Sequence, residues 1–287
     1  MSKVYEIVTN RIIEQLEKGV IPWRKPWGNG KLRFPINWVT KKPYRGINRW
    51  ILPPGEYATF LQIQEAGGRV KKGEKSHIVV YWNWFKKENE ETGEIERIPF
   101  LKYYNVFEIN TQCEGLESRF KTETFDHDPV EEAEKIVRGY ADCPEIRFES
   151  GQAYYHKVMD YISVPPLKDF KNPHEYYSTL FHEMVHSTGH PNRLNRQGVA
   201  TPAAFGDESY SKEELVAEMG AAMLCGVCGI ENSTIENSAA YIASWLEKLR
   251  NDKRLVVHAA AQAQKAADYI LGVKHSDSED EAADEAE

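Results

Sequence analysis

Apolar residues recur with a helical period at Val4, Ile7, Ile12 and Leu16, which predicts a helix over residues 3–18 that Gly19 stops. A loop dense in Pro, Trp, Gly and Lys follows to about Pro35. A second helix is expected near Tyr57–Ala66, ended by Gly67-Gly68. The pattern then changes to β-branched and aromatic runs. Ser76–Phe85 and Arg97–Ile109 read as two strands, joined through the polar turn Glu90-Glu91-Thr92-Gly93-Glu94. Residues 110–127 lose periodicity, and a boundary is placed there. Asp128 and Pro129 open a helix to about Tyr140. Short strands follow near Ile146, Ala153–His156 and Tyr161–Val164, the last closed by Pro165-Pro166. A helix after Asn172, an irregular stretch to Tyr210, a helix through Glu214 and an alanine-rich helical pair complete the chain. No internal repeat is visible.

This order predicts an α+β protein of two domains, residues 1–125 and 126–275, with an acidic tail at 276–287. A chain of 287 residues is long enough to bury a good core and favours two domains over one. The tail is Ala/Ser-rich without large apolar groups and is expected to be disordered. No apolar run approaches the ~20 residues of a membrane span, and Met1-Ser2-Lys3 begins no secretory signal. Four cysteines, Cys113, Cys143, Cys225 and Cys228, show no framework spacing, so reduced thiols and a cytoplasmic location are expected.

Within the helix after Asn172 stands His182-Glu183-Met184-Val185-His186. Residues four apart share a helix face, so both imidazoles can grip one divalent metal. Glu183 projects beside them, placed to take a proton from a water held there. Asn172 can cap this helix, Pro173 suits its first position, and Glu175 can close a capping box. Leu180, Phe181, Met184 and Val185 would hold its other face in a core. The alternative is an exposed polar stripe. A third histidine at HxxGxxH spacing is missing, because Asn192 stands there; His190 is two residues early. The helix Glu213-Glu214-Leu215-Val216-Ala217-Glu218 offers a carboxylate instead. Glu214 is preferred as third ligand with Glu218 supporting a histidine; if Glu214 serves a capping box with Ser211, Glu218 becomes the ligand. Zinc fits this ligand set, with manganese or cobalt as alternatives. A strand preceding an HExxH helix is the zincin plan, and Asp160–Val164 is the expected edge strand beside the cleft.

The formal net charge of −8 conceals an asymmetry. Residues 1–87 carry 17 Lys/Arg against 6 Asp/Glu, whereas the remaining 200 carry 19 against 38. A basic half suggests a polyanionic partner. Trp23, Arg24, Lys25 and Trp27 interleave indoles with cations, and Lys31, Lys41, Lys42, Tyr44, Arg45, Asn48 and Arg49 continue the pattern. Single-stranded nucleic acid suits such a surface, because bases stack on rings while cations track phosphates. No groove-reading helix for duplex DNA is apparent. The alternative is that Trp23, Trp27, Trp38 and Trp50 fill a small core.

The chain resembles the plasmid-borne antirestriction protein ArdC and its relatives over nearly its whole length. Ile21-Pro22-Trp23-Arg24-Lys25-Pro26-Trp27 and Lys42-Pro43-Tyr44-Arg45-Gly46-Ile47-Asn48 resemble that family's single-stranded-DNA-binding domain. Asp160–Pro165, His182–Leu194 and Glu213–Glu218 resemble its zincin-type metallopeptidase domain. The resemblance implies a protein that coats incoming DNA during conjugation and protects it from host restriction. It also implies metal ligands at His182, His186 and a Glu of 213–218, with Glu183 as base. A metalloprotease acting on a host protein, with DNA only localising it, is the second reading. A metal-dependent nuclease is the weakest, because two His and one Glu beside a Glu base suit peptide hydrolysis better than carboxylate-rich nuclease chemistry.

Overall fold

The computed structural model describes residues 3–23, 34–88, 95–118, 129–149, 151–200, 208–230 and 239–273. The expected Glu90–Glu94 turn and the 276–287 tail lie outside these residues. The chain divides into two compact units, Met1–Asn10 with Phe34–Lys121 and His275–Glu287, and Arg11–Arg33 with Thr122–Lys274. One change between the units lies at 121/122. Arg11–Arg33, however, groups with the C-terminal residues, and burial of Trp23 there supplies the physical reason.

In chain order the first elements are α1 (Lys3–Glu17), β1 (Ile36–Asn37), α2 (Asn48–Ile51), β2 (Glu56–Thr59), α3 (Phe60–Glu65) and β3 (Arg69–Val70). Then come β4 (His77–Glu88), β5 (Ile95–Glu108), α4 (Ile109–Gln112) and β6 (Cys113–Glu114). β1, β2, β5 and β4 form one sheet in that order, and β3 pairs with β6. The helix expected from Tyr57 begins only at Phe60. Thr59 and Gln62 close a capping box there, while Tyr57 and Ala58 pair with β5 and are fully buried. Ala58, Ile63, Ile109 and Cys113 form a small core with Trp38, Val70, Phe107 and Leu116 against it.

The second unit contains α5 (Pro129–Gly139), β7 (Glu145–Phe148), β8 (Tyr154–His156), β9 (Tyr161–Val164), α6 (Pro173–Ser187), α7 (Gln197–Ala200), α8 (Glu208–Cys228), α9 (Ala239–Asn251) and α10 (Leu255–Ile270). Its sheet order is β7-β9-β8, with β7 parallel and β8 antiparallel to β9. Asp160–Val164, expected at the edge, therefore supplies the central strand β9, and Tyr154–His156 is the edge strand. Asn172 Oδ1 accepts the Glu175 N–H at 3.0 Å to start α6, and Pro173 occupies its first turn. Leu180, Phe181, Met184 and Val185 are buried. α6 packs against α8 at Gly220, where an added Cβ would lie 2.8 Å from Val185 Cγ2. Only glycine permits that approach without displacement of the valine.

Candidate metal centre

The close contact of α6 and α8 brings His182, His186 and Glu214 together. Their ligating atoms all lie within 4.8 Å of one another. His182 Nε2 and His186 Nε2 are 3.1 Å apart, and each is 3.5 Å from an oxygen of the Glu214 carboxylate. A tetrahedral ion with bonds of ~2.1 Å holds its ligand atoms roughly 3.4 Å apart, close to the spread of the two ring nitrogens and the Glu214 carboxylate. α8 starts at Glu208, so Ser211 lies inside the helix and the Ser211–Glu214 capping box does not arise.

Glu218, expected to support a histidine, gives its hydrogen bonds to other partners, although the His182 charge still acts on it. Its carboxylate accepts the Trp23 indole N–H at 3.0 Å and the Tyr241 hydroxyl. The carboxylate beside His186 is Glu213, with Oε1 3.4 Å from His186 Nδ1. Arg196 fixes Glu213 through Nε at 3.0 Å and Nη2 at 2.5 Å, and also donates to Thr188 Oγ1 and the Val185 carbonyl. A carboxylate on the far ring nitrogen sets tautomer and orientation and leaves Nε2 as the free donor. Burial opposes protonation of His186, yet the carboxylates of Glu213, Glu214 and Glu183 win and hold its pKa up, at about 9. Glu213 and Arg196 were missed in the sequence. The Glu213-Glu214 pair was a signal for the first; nothing local announced Arg196.

The segment after α6 is pinned rather than ligating. Arg193 donates to the Ser187 carbonyl at 2.7 Å and the Tyr155 hydroxyl at 3.2 Å, and pairs with Asp160. Gly189 must be small, because an added Cβ would meet Val199 Cγ2 at 2.5 Å. A cleft of about 710 Å³ opens over the site. Residues 153–158 of the edge strand and its turn line it, with His182, Glu183, His186, Glu213 and Glu214. Glu183 is 7% exposed on its wall.

The expected nucleic-acid residues divide. Arg24, Lys25, Trp27 and Lys31 lie outside the described residues. Trp23 is 1% exposed, packed edge-on against Trp245, so it presents no ring face for stacking. Asn48 is 8% exposed; its amide donates to the Val80 carbonyl at 2.6 Å and accepts the Val80 N–H at 2.8 Å, sealing the free edge of β4. Arg49 is buried, donating to the Tyr44 carbonyl and lying 3.8 Å over the Phe34 ring. These three are structural here. Lys41, Lys42 and Arg45 are exposed, and Tyr44 is half-buried. Among the described residues, no helix is long and apolar enough to cross a membrane.

Comparison with known proteins matches two segments of the chain to families. Residues 131–262 match the family described as zincin-like metallopeptidase, and residues 2–107 the N-terminal domain of anti-restriction factor ArdC. The class is thus an α+β protein that joins an ArdC-type N-terminal domain to a zincin-like domain. The antirestriction ArdC protein from the R388 plasmid, solved metal-free and Mn(II)-bound, superposes with a TM-score of 0.74 at 37% identity in each form. In both cases 95% of this chain and 98% of that one are covered. Protein y4eC of Sinorhizobium fredii (strain NBRC 101917 / NGR234) is 32% identical over 93% of this chain and 91% of its own. Two Escherichia coli DNA primases TraC are each 34% identical, but this chain spans only 28% and 20% of their lengths. The chain belongs to the ArdC family of antirestriction proteins. The zincin-like fold, the Mn(II)-bound relative and the three converging side chains together point to a divalent metal.

Proposed function

We propose that this protein binds single-stranded DNA through its N-terminal unit and thereby protects incoming conjugative DNA from host restriction. The observation that carries the reading is the match of residues 2–107 to the ArdC N-terminal domain, whose first part, within residues 1–87, carries the excess of 17 Lys/Arg over 6 Asp/Glu. Coating strands is sufficient for protection, because an occluded site cannot be cut. The test is direct: the full-length protein should bind a labelled single strand more tightly than the same sequence as duplex, with affinity falling as salt rises. It should also slow cleavage of DNA by a restriction endonuclease. Equal binding to strand and duplex, or no protection at saturation, would remove the reading.

His182, His186 and Glu214 hold one ion in this proposal, zinc by ligand type. When bound, such an ion supplies Lewis-acid polarisation and lowers the pKa of water. Glu183 is the base between the histidines: its carboxylate accepts the proton of the attacking water and passes it to the leaving amine. Arg196 and Glu213 keep His186 oriented. The cleft beside the free edge of β8 favours a second reading, a protease taking an extended segment of a host protein. The same architecture and location, in the cytoplasm, serve both readings.

A further inference from the structure

We propose that one face of the β4–β5 hairpin, carrying Tyr81, Tyr104, Phe100 and Lys102, is a stacking platform for single-stranded DNA; this rests on the DNA-binding reading above and names residues for it. Cross-strand register places Tyr81 opposite Lys102 and Val79 opposite Tyr104. Residues two apart on a strand share a face, so Phe100, Lys102 and Tyr104 line up on β5 beside Tyr81 of β4. The Tyr81 and Tyr104 rings are stacked, with centroids 4.8 Å apart and planes 2° from parallel. The Tyr81 hydroxyl donates to that of Tyr104 at 2.9 Å. Lys102 is exposed, with Nζ 5.5 Å from the Phe100 ring centroid.

This arrangement has the components that a sequence-tolerant single-strand site needs, rings for bases and a cation for phosphate. The ring pair is already fixed by stacking and a hydroxyl bond, so little side-chain freedom is lost when a base adds to it. The same face continues toward the basic loop. His77 lies four residues before Tyr81, about 13 Å along the strand. Its ring meets Tyr57 at 5.4 Å, and Tyr57 meets Tyr44 at 6.4 Å. Tyr44 lies between the exposed cations Lys42 and Arg45. Tyr57 is fully buried and offers no ring face, so the platform itself is confined to Tyr81, Phe100, Lys102 and Tyr104, with the exposed cations Lys42 and Arg45 beyond the far end of this line of rings. Tyr103, 43% exposed, projects from the opposite face and gives an internal control.

The test is fluorescence anisotropy of a labelled mixed-sequence single strand with the full-length protein. Tyr104→Ala should weaken binding roughly five- to hundredfold, the range for loss of one stacked base, and Tyr104→Phe should keep most of it. Lys102→Ala should lower the slope of log affinity against log salt by about 0.7, one phosphate contact on a single strand. Tyr103→Ala should bind as wild type. Unchanged binding by Tyr104→Ala together with an unchanged salt slope for Lys102→Ala overturns the platform while leaving DNA binding intact. Wild type that fails to bind at all overturns the underlying reading and the platform with it. Should Tyr104→Ala not fold, Lys102→Ala decides: its side chain is exposed, and an unchanged slope is evidence enough to reject the site.

Discussion

The Trp23 indole N–H donates to Glu218 at 3.0 Å, and Glu218 stands one helical turn beyond Glu214. The start of the basic Trp-Arg-Lys segment is therefore fastened to the helix that carries a candidate metal ligand. Trp23→Phe keeps most of the buried ring but leaves the carboxylate one donor short. The expected cost is about 1–3 kcal/mol, seen as a Tm lowered by several degrees. A Tm equal to wild type would mean that the hydrogen bond contributes nothing.

Glu218 also sets a pH dependence. Burial, with the Glu214 carboxylate adding to it, raises its pKa from 4.5 to about 7, against the Tyr241 hydrogen bond, the His182 charge and the Trp23 hydrogen bond, which lower it. The folded state then holds this proton more tightly than the unfolded chain does. Its contribution is fully present below about pH 4.5 and is lost as pH rises through about 7. In chelator, Glu218→Gln should therefore show a smaller loss of stability between pH 5 and pH 8 than wild type, by thermal melts across that range. Parallel profiles for the two proteins would contradict this assignment.

For the metal, His182→Ala and Glu214→Ala should each abolish binding of about one divalent ion per chain. Glu213→Gln should lower affinity about 10- to 100-fold, the range for loss of a carboxylate that orients a ligand histidine. Calorimetric titration of the chelator-treated protein separates these outcomes. Wild-type affinity in Glu213→Gln would show that the Arg196–Glu213–His186 chain does not act on the metal.

The packing of α6 on α8 gives a sharper test of how the site is assembled. Gly220→Ala places a methyl 2.8 Å from Val185 Cγ2 and must push the helices apart or move the valine. A loss of about 1–3 kcal/mol is expected from this overpacking, with weaker metal binding because Glu214 is carried away from the histidines. Val185→Ala added to Gly220→Ala should restore part of both. Metal affinity that stays at wild-type level in Gly220→Ala would separate helix spacing from the site.

The readability of these features follows from their range along the chain. The histidine pair, Glu183 and the candidate Glu214 are spaced by helix geometry alone, so periodicity was enough to place them on one face. Which of Glu213, Glu214 and Glu218 turns toward the histidines depends on the rotation of α8 against α6, a tertiary relation that neither helix's own pattern specifies. Arg196 reaches Glu213 from 17 residues away through a loop with no periodic signal. Strand order is equally non-local, and nothing in the period of Tyr161–Val164 or Tyr154–His156 says which is central and which is at the edge. Trp23 shows the limit of composition: an indole among cations reads as a stacking ring, but its burial is decided by Trp245, more than 200 residues later. Tyr57 and Ala58 likewise satisfy a helical pattern until β5 pairs with them.

Glu183→Ala separates the two functional readings. The side chain lies on the cleft wall outside the set of three converging ligands, so its removal should leave metal stoichiometry and the melting curve near those of wild type. Hydrolysis by this site needs a base at that position, and the variant should cleave no peptide bond. Protection of DNA by occlusion needs no turnover. The expected result is a folded, metal-loaded Glu183→Ala protein that retains most of its protection against a restriction endonuclease in vitro. Proteolysis would then matter only against a specific host partner, detectable in cells as loss of that partner with wild type and not with the variant. If the folded, metal-loaded variant loses protection in a purified assay, coating is insufficient and the protease reading takes first place.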